Sequence, residues 1–483
     1  MAAAAPEEPP VPQLRLLVAC SWVGLAWLLA ACGERPSVQV TRPDPAPQAV
    51  LIRDAAVLHV ALGERQVGLD VLVREGRVAA IAPTGELAVP EGARVVDGSG
   101  ATLLPGLVDL HGHVDADPAP VWEQGIPDDA ANLRSYLYAG VTTLLDPGDP
   151  SGEAFERRER VARGELLGPR IFTAGPMLTC PEGHPIALVR AFAPFWIAWY
   201  LAPRVAVAVE SPDAAGAVVD VLAAQRADVV KITIDRVPLD APRMDRATAA
   251  AVVEAAHARG LRVVAHVGTT EDAIDAAEAG VDAWVHGVYK ERIPEAAVAA
   301  LAGYGIPMVP TIEVFDRYAR TGEGPFDATP LEREVAPRSL LESFHPVPDG
   351  FDPGPLQSWL DLARETRVDR FENVRRLHEA GVTILAGSDT QSGVFPGPGL
   401  HREIANLVRA GLTPVEAIRA ATLDAARFLA AGAEPDFGAV EVGKRADLLL
   451  VEGDPTRDVA ALQRIREVFL GGVPLERQPV AER

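Results

Sequence analysis

Between residues 105 and 432 the chain alternates two patterns, short apolar runs and longer Ala-rich stretches whose apolar positions recur with helical spacing. The runs read as buried strands and the stretches as helices, and their alternation is the pattern of repeated βα units. Strands are predicted at 108–110, 141–145, 170–174, 229–234, 262–266, 283–285, 308–312 and 383–386, with helices over 247–259, 270–279, 369–380 and 414–429. Gly260, Gly280, Gly381 and Gly432 follow those helices, as expected of helix C-termini. Eight such runs predict an α/β fold, a (β/α)8 TIM barrel, in which chemistry belongs to the loops at the carboxyl ends of the strands.

Outside this region the pattern changes to short strand-like runs at 49–60, 67–73, 77–81 and 93–96, and again at 446–451 and 468–475, separated by Gly, Pro and charged turns. A small β-sandwich domain formed from both chain ends, 49–104 and 433–483, around a barrel over 105–432 is the simplest arrangement. Two inserts interrupt the barrel. One, over 181–209, holds an apolar stretch at 186–200 that Arg190 and Pro194 make unsuited to span a membrane and that reads as a lid. The other, over 314–358, is acidic and Pro-rich and reads as a second loop over the same mouth.

At the N-terminus an apolar segment, 16–31, follows Arg15 and closes with Leu29-Ala30-Ala31-Cys32-Gly33. It is short for a membrane span and of the length of a signal-peptide core. Its ending resembles a bacterial lipobox, although Glu7 and Glu8 dilute the positive charge before it. A signal peptide over 1–32, lipidation of Cys32, export to the periplasm or cell envelope, a membrane anchor through lipid, and a Pro-rich tether over 33–48 are therefore expected.

Composition adds three constraints. A hydrophobic fraction of 48% with 23% charged residues is that of an ordinary globular chain. A net charge of -22 argues against nucleic acid as a partner, because a polyanion would be repelled. Lys231, Lys290 and Lys444 are the three lysines among 45 basic residues, so arginine serves wherever a simple positive charge suffices and each lysine asks for a reason. With Cys32 lipidated, Cys180 has no partner and no structural disulfide is expected.

Polar residues stand where the apolar runs give way to loops. The run 103–110 ends in His111-Gly112-His113, and strand alternation would aim both imidazoles the same way, with Gly112 leaving room for close approach. Alone the triplet is weak, since two histidines in a loop are common. The pattern repeats with Lys231 in the fourth run, His266 and His286 at the ends of the fifth and sixth, and Asp389 just past the eighth, which makes coincidence a poor account. Flanked by Val230 and Ile232, Lys231 would be costly to bury as an ammonium ion, and desolvation would favour the neutral amine. A neutral amine can add carbon dioxide to give a carbamate, whose two oxygens suit two metal ions. The plain alternative is a lysine snorkelling at a strand end.

The segment Pro105-Gly106-Leu107-Val108-Asp109-Leu110-His111-Gly112-His113, together with Lys231, His266, His286, Gly387-Ser388-Asp389 and the stretch 438–448, resembles the amidohydrolase superfamily across about 49–475. Within it the chain looks closest to the imidazolonepropionase-like and prolidase-like branch. The resemblance implies two divalent metal ions, with His111, His113 and Asp389 on the more buried one, His266 and His286 on the more exposed one, and carbamylated Lys231 bridging. Zinc suits so nitrogen-rich a set. It implies a hydroxide shared between the ions as nucleophile, with Asp389 as general base and acid toward the leaving amine. His184, Tyr289 and His401 are the candidate substrate contacts. The expected function is hydrolysis of a C–N amide or peptide bond in a small-molecule substrate, a dipeptide or an N-acyl amino acid, by a chain that could form a homo-oligomer. Two alternatives stay open: a mononuclear hydrolase or deaminase of a cyclic amide or imidazolone-type substrate, and a non-catalytic binding lipoprotein.

Overall fold

The structure, a computed structural model, describes residues 35–481 other than 124, 150–152, 193–197, 200, 201 and 203. The expected signal peptide and lipobox lie outside the described residues.

Both chain ends meet in one eight-stranded sheet. Ala49–His59 pairs antiparallel with Glu64–Arg74, and parallel with Arg94–Asp97 along its first half and Ala101–Pro105 along its second. From the other end of the chain, Leu448–Glu452 lies antiparallel to Ala101–Pro105, with Ile465–Leu470 beyond it. Alternating residues of these strands, Val50, Ile52, Val71, Leu103, Leu448, Leu450 and Phe469 among them, form a shared apolar core.

Two expectations change here. The stretch 33–48 is not a free tether throughout, because Gln39–Thr41 pairs antiparallel with Glu476–Gln478. Val38 and Val40 are buried while Gln39 and Thr41 are exposed, a two-residue period that the surrounding prolines obscured. The apolar run 103–110 is not one strand but parts of two, Ala101–Pro105 in the sheet and Leu107–Asp109 in the barrel. Gly106 is the crossing point. Its N–H donates to Asp447 O at 2.8 Å, the next N–H donates to Gly140 O at 2.9 Å, and any side chain at 106 would collide with Thr142.

Leu107–Asp109, Val141–Asp146 and Arg170–Thr173 then run parallel, as do Val229–Thr233, Arg262–His266, Ala283–Val285 and Met308–Val309. The N–H of Asp228 donates to Thr173 O at 2.9 Å and joins the two groups. Ile384 bridges Met308, and the N–H of Leu110 donates to Ala386 O at 3.1 Å, which brings the eighth segment back to the first. The outcome is a TIM-barrel-like α/β fold beside a separate sheet domain. Its seventh strand is shorter than predicted, since Thr311 takes a left-handed backbone (φ 43°) and the helix Ile312–Ala319 begins at once.

The second insert is not a loop but a set of short helices, Ile312–Ala319, Pro330–Val335, Arg338–Glu342 and Gln357–Glu365. Thr329 and Glu332 close a capping box that starts the second of these. In the first insert the helix Ile186–Phe192 sends Leu188 against Val237, Tyr289, Phe315 and Trp359. The rest of the expected lid falls partly outside the described residues. Among the described residues no helix is long and apolar enough to cross a membrane.

Candidate metal centre

Strand parity decides which side chains reach the barrel interior. Val229, Val264, Val285, Val309 and Leu385 pack together inside, while Val230, Ile232, Val263 and Trp284 join the outer cluster with the helices. Lys231 shares the inward parity of Val229 and lies opposite Val264 in register. It is therefore the inner layer that buries it, not the flanking Val230 and Ile232, and only 1% of it is exposed. Burial lowers its ammonium to about 7, against the opposing pull of Asp389.

The two histidines of the first strand are aimed by hydrogen bonds and not by strand alternation, because the strand ends at Asp109. Asp109 accepts from the N–H groups of His111 (3.1 Å) and Ser388 (2.9 Å) and from Ser388 Oγ (2.5 Å). The N–H of Asp389 donates to His111 O, and that of His113 donates to Thr390 Oγ1 at 2.7 Å, which also contacts Tyr136 Oη. This lacing sets the two rings 72° apart, with Nε2 of His111 3.6 Å and Nε2 of His113 3.3 Å from Asp389 Oδ1. A side chain at Gly112 would run into Tyr136 and Leu144, so the close approach requires glycine there.

His286 Nδ1 lies 3.6 Å from Asp389 Oδ2 and 2.8 Å from Thr311 Oγ1. The His286 ring centroid is 4.7 Å from that of His111 and 4.0 Å from that of His266. His286, Thr311 and Asp389 all have left-handed backbone, with φ of 72°, 43° and 55°. Such conformations are costly without glycine and persist where surrounding contacts enforce them, commonly at functional sites.

Burial, reinforced by Lys231 and the neighbouring imidazoles, holds His111 and His286 well below the ordinary histidine range. Burial also lowers His266. His113 differs, since burial is outweighed by Asp146 and Asp389 and its ring is raised well above that range. Neutral imidazoles beside a carboxylate make a cation site. His111, His286 and Asp389 each bring a ligand atom within 4.8 Å of the others, and His111 Nδ1 is buried with no hydrogen-bond partner. These residues fit a divalent ion.

The three candidate substrate contacts separate. His184 borders the cluster, its ring 5.0 Å from that of His266 and its Nδ1 without a partner. Tyr289 is buried beside the cluster, stacked on Phe315 at 3.8 Å, with its hydroxyl donating to Asp235 Oδ2 and accepting from Trp359 Nε1. His401 corrects the expectation. Its Nε2 donates to Ala139 O at 2.7 Å, just before the second strand begins at Val141, at the end of the barrel away from the cluster. The bond fastens the helix Pro398–Arg409, and the side chain is committed there, apart from the metal-ligand cluster.

Several site residues were not marked by the sequence. Asp146 accepts from the Val114 N–H at 3.2 Å and lies 3.5 Å from His113 Nδ1. Its place after Leu144 and Leu145 obeys the strand-end rule that found the histidines. Gln391 Nε2 donates to Asp389 Oδ1 at 3.0 Å, and Asp235 Oδ2 lies 3.1 Å from His266 Nε2. Nothing in the local sequence pattern points to these two.

The sequence profile of the Amidohydrolase family matches residues 102–475. An uncharacterised protein of Mycobacterium tuberculosis is 29% identical over 378 residues, covering 77% of this chain and 85% of its own length. An adenine deaminase of Rhizobium meliloti is 25% identical over 432 residues, covering 88% of this chain and 57% of its own. Among solved structures, a Xaa-Pro dipeptidase with methionine bound in the active site superposes with a TM-score of 0.71 at 24% identity, covering 88% of this chain and 99% of that one. A profile match over most of the chain, on a barrel-like fold that gathers imidazoles and an aspartate at its strand ends, means that the chain belongs to the amidohydrolase family and is a hydrolase of carbon–nitrogen bonds.

Proposed function

We propose that the protein hydrolyses the amide bond of a dipeptide or an N-acyl amino acid at a site for two divalent cations. The observation that carries this reading is the burial of Lys231, whose charge bears on His111, His266 and His286 and is itself acted on by Asp389. An amine held near neutrality in such company is the form that adds carbon dioxide, and the resulting carbamate has an oxygen for each ion. In this reading His111, His113 and Asp389 would hold one cation and His266 and His286 the other, zinc being suited to both, and carbamylated Lys231 would supply a further anionic ligand. Bound cations would lower the pKa of a water and polarise the scissile carbonyl. Asp389, whose carboxylate accepts from Gln391 Nε2, would take the proton that the attacking water loses as it bonds to the carbonyl carbon and would deliver it to the amine nitrogen as the C–N bond breaks. His184, with its unpartnered Nδ1, offers a contact to the substrate on the His266 side.

Likeness of fold to a Xaa-Pro dipeptidase supports a peptide-like substrate, whereas similarity to an adenine deaminase supports the alternative of ring deamination at one ion. Metal analysis and a substrate panel separate them. Two ions per chain, a carbamate mass increment on Lys231 and turnover of dipeptides or N-acyl amino acids are expected, with Asp389→Asn slower by about 10²- to 10⁴-fold. One ion with turnover confined to adenine or cyclic amides would replace this reading, and tight metal binding without turnover would make the chain a binding protein. Export with a lipid on Cys32 is part of the same proposal; the mass of the mature N-terminus from a membrane fraction tests it, an intact Met1 being the contrary result.

A further inference from the structure

Asp235, two residues past the fourth strand and 1% exposed, is the hub of a polar cluster joining three barrel loops. Its Oδ2 accepts from Tyr289 Oη at 2.5 Å and lies 3.1 Å from His266 Nε2. Its Oδ1 accepts from Lys290 Nζ at 2.5 Å, and the same ammonium donates to Arg236 O at 2.5 Å. Lys290 is buried as well, so one of the three lysines of the chain is spent on this contact. The backbone closes around the pair. The N–H groups of Tyr289 and Lys290 both donate to Gly268 O, at 3.1 and 3.0 Å, and a side-chain carbon added at Gly268 would sit 2.6 Å from Asp235 Cγ.

A carboxylate can only accept, so its bond to His266 requires the imidazole proton on Nε2 and leaves the lone pair on Nδ1. A carboxylate behind a metal-binding histidine fixes the ring and strengthens it as a ligand. A lone anion at this depth would be costly, and Lys290 compensates it with an opposite charge in direct contact. We propose that Asp235 and Lys290 form a clamp that sets the tautomer and aim of His266, presenting Nδ1 to the second cation. They are positioning residues, and Gly268 is the space that admits them. The inference rests on the two-cation reading above.

The test uses the full chain with Asp235→Asn, Lys290→Met and Gly268→Ala, and Lys290→Arg as the conservative variant. Nitrogen-15 shifts of labelled histidines in the metal-free protein, with His266 assigned by His266→Gln, read the tautomer directly. The wild type is expected to carry the His266 proton on Nε2, and the first three variants to lose that preference. Competition with a chromophoric chelator for zinc is expected to show one of two ions bound about 10- to 100-fold more weakly in those variants, the other unchanged, and Lys290→Arg close to wild type. Should Asp235→Asn fail to fold, Lys290→Met and Gly268→Ala decide. Wild type with two ions, alongside Lys290→Met and Gly268→Ala variants of unchanged affinity and unchanged nitrogen shifts, overturns the clamp and leaves the function standing. A wild type that binds one ion overturns the function reading instead, and the nitrogen shifts then decide the clamp alone.

Discussion

Glu403 is fully buried and accepts from the N–H groups of Ile312 and Glu313 at 3.0 and 2.9 Å. Burial raises it to about 8, with Glu313 and Asp109 adding to the rise and the two backbone donors opposing it. The unfolded chain releases this proton near ~4.3, so between that pH and about 8 the folded protein holds a proton that the unfolded chain has lost. Its contribution to stability is therefore fully present below the unfolded value and is lost as pH rises toward 8, by up to ~1.4 kcal/mol per pH unit. Denaturant melts of Glu403→Gln against wild type should lack that slope; parallel pH profiles would show that Glu403 is ionised in the fold. Lys231→Met keeps the shape of the side chain and removes the amine. Zinc affinity and turnover are expected to fall by more than ~10²-fold, since a ligand should count for more than a residue behind one. The metal-free variant is expected to melt at or above the wild-type temperature, because a buried polar amine that is costly to desolvate has been replaced by an apolar side chain; a marked loss of stability without metal would show Lys231 to be a structural residue.

At the scale of elements, the crossing from sheet to barrel depends on Gly106, where the backbone passes from Asp447 to Gly140 within one residue. Gly106→Ala places a carbon against Thr142 and is expected to destabilise by about 1–3 kcal/mol through overpacking. The first barrel strand, Leu107–Asp109, starts at this point beside the second and ends in Asp109, which orients the histidines, so chelator competition should show weaker zinc binding along with the stability loss. A variant as stable as wild type would mean that the junction yields more easily than its packing suggests. The helices of the second insert matter to the site for a related reason. Ile312–Ala319 begins immediately after Thr311 and carries Phe315 onto Tyr289 and to 5.5 Å from the ring of His286.

At the scale of the molecule, strands from both ends of the chain build the eight-stranded sheet, while Gln39–Thr41 against Glu476–Gln478 forms a separate two-stranded sheet, and Val38 and Val40 there join the core shared with the helix Asp129–Tyr138. Val40→Asp puts a charge where Val40 is buried and is expected to cost on the order of 2 kcal/mol, read as a lower denaturant midpoint. Activity at moderate temperature should survive, since the strand ends of the barrel are untouched; loss of activity without loss of stability would contradict this. Much of this architecture was legible in the chain. Alternating apolar runs and Ala-rich stretches placed the barrel strands within a few residues, and Gly260 and Gly280 marked helix ends, because period and turn chemistry are local properties. His111, His113, His266, His286 and Asp389 could be picked out for the same reason, each being a polar residue at or just past the end of an apolar run, and Lys231 as a rare lysine inside one. What those residues do was decided by the tertiary structure. The run 103–110 divides because Gly106 meets Thr142, 36 positions away, and His401 lies apart from the cluster because a carbonyl at Ala139 holds its ring. Asp235 and Lys290, 55 residues apart, meet only when three loops fold over one histidine. Periodicity is written residue by residue, but the depth at which a charge is buried and the partner that offsets it exist only once distant segments have closed around it.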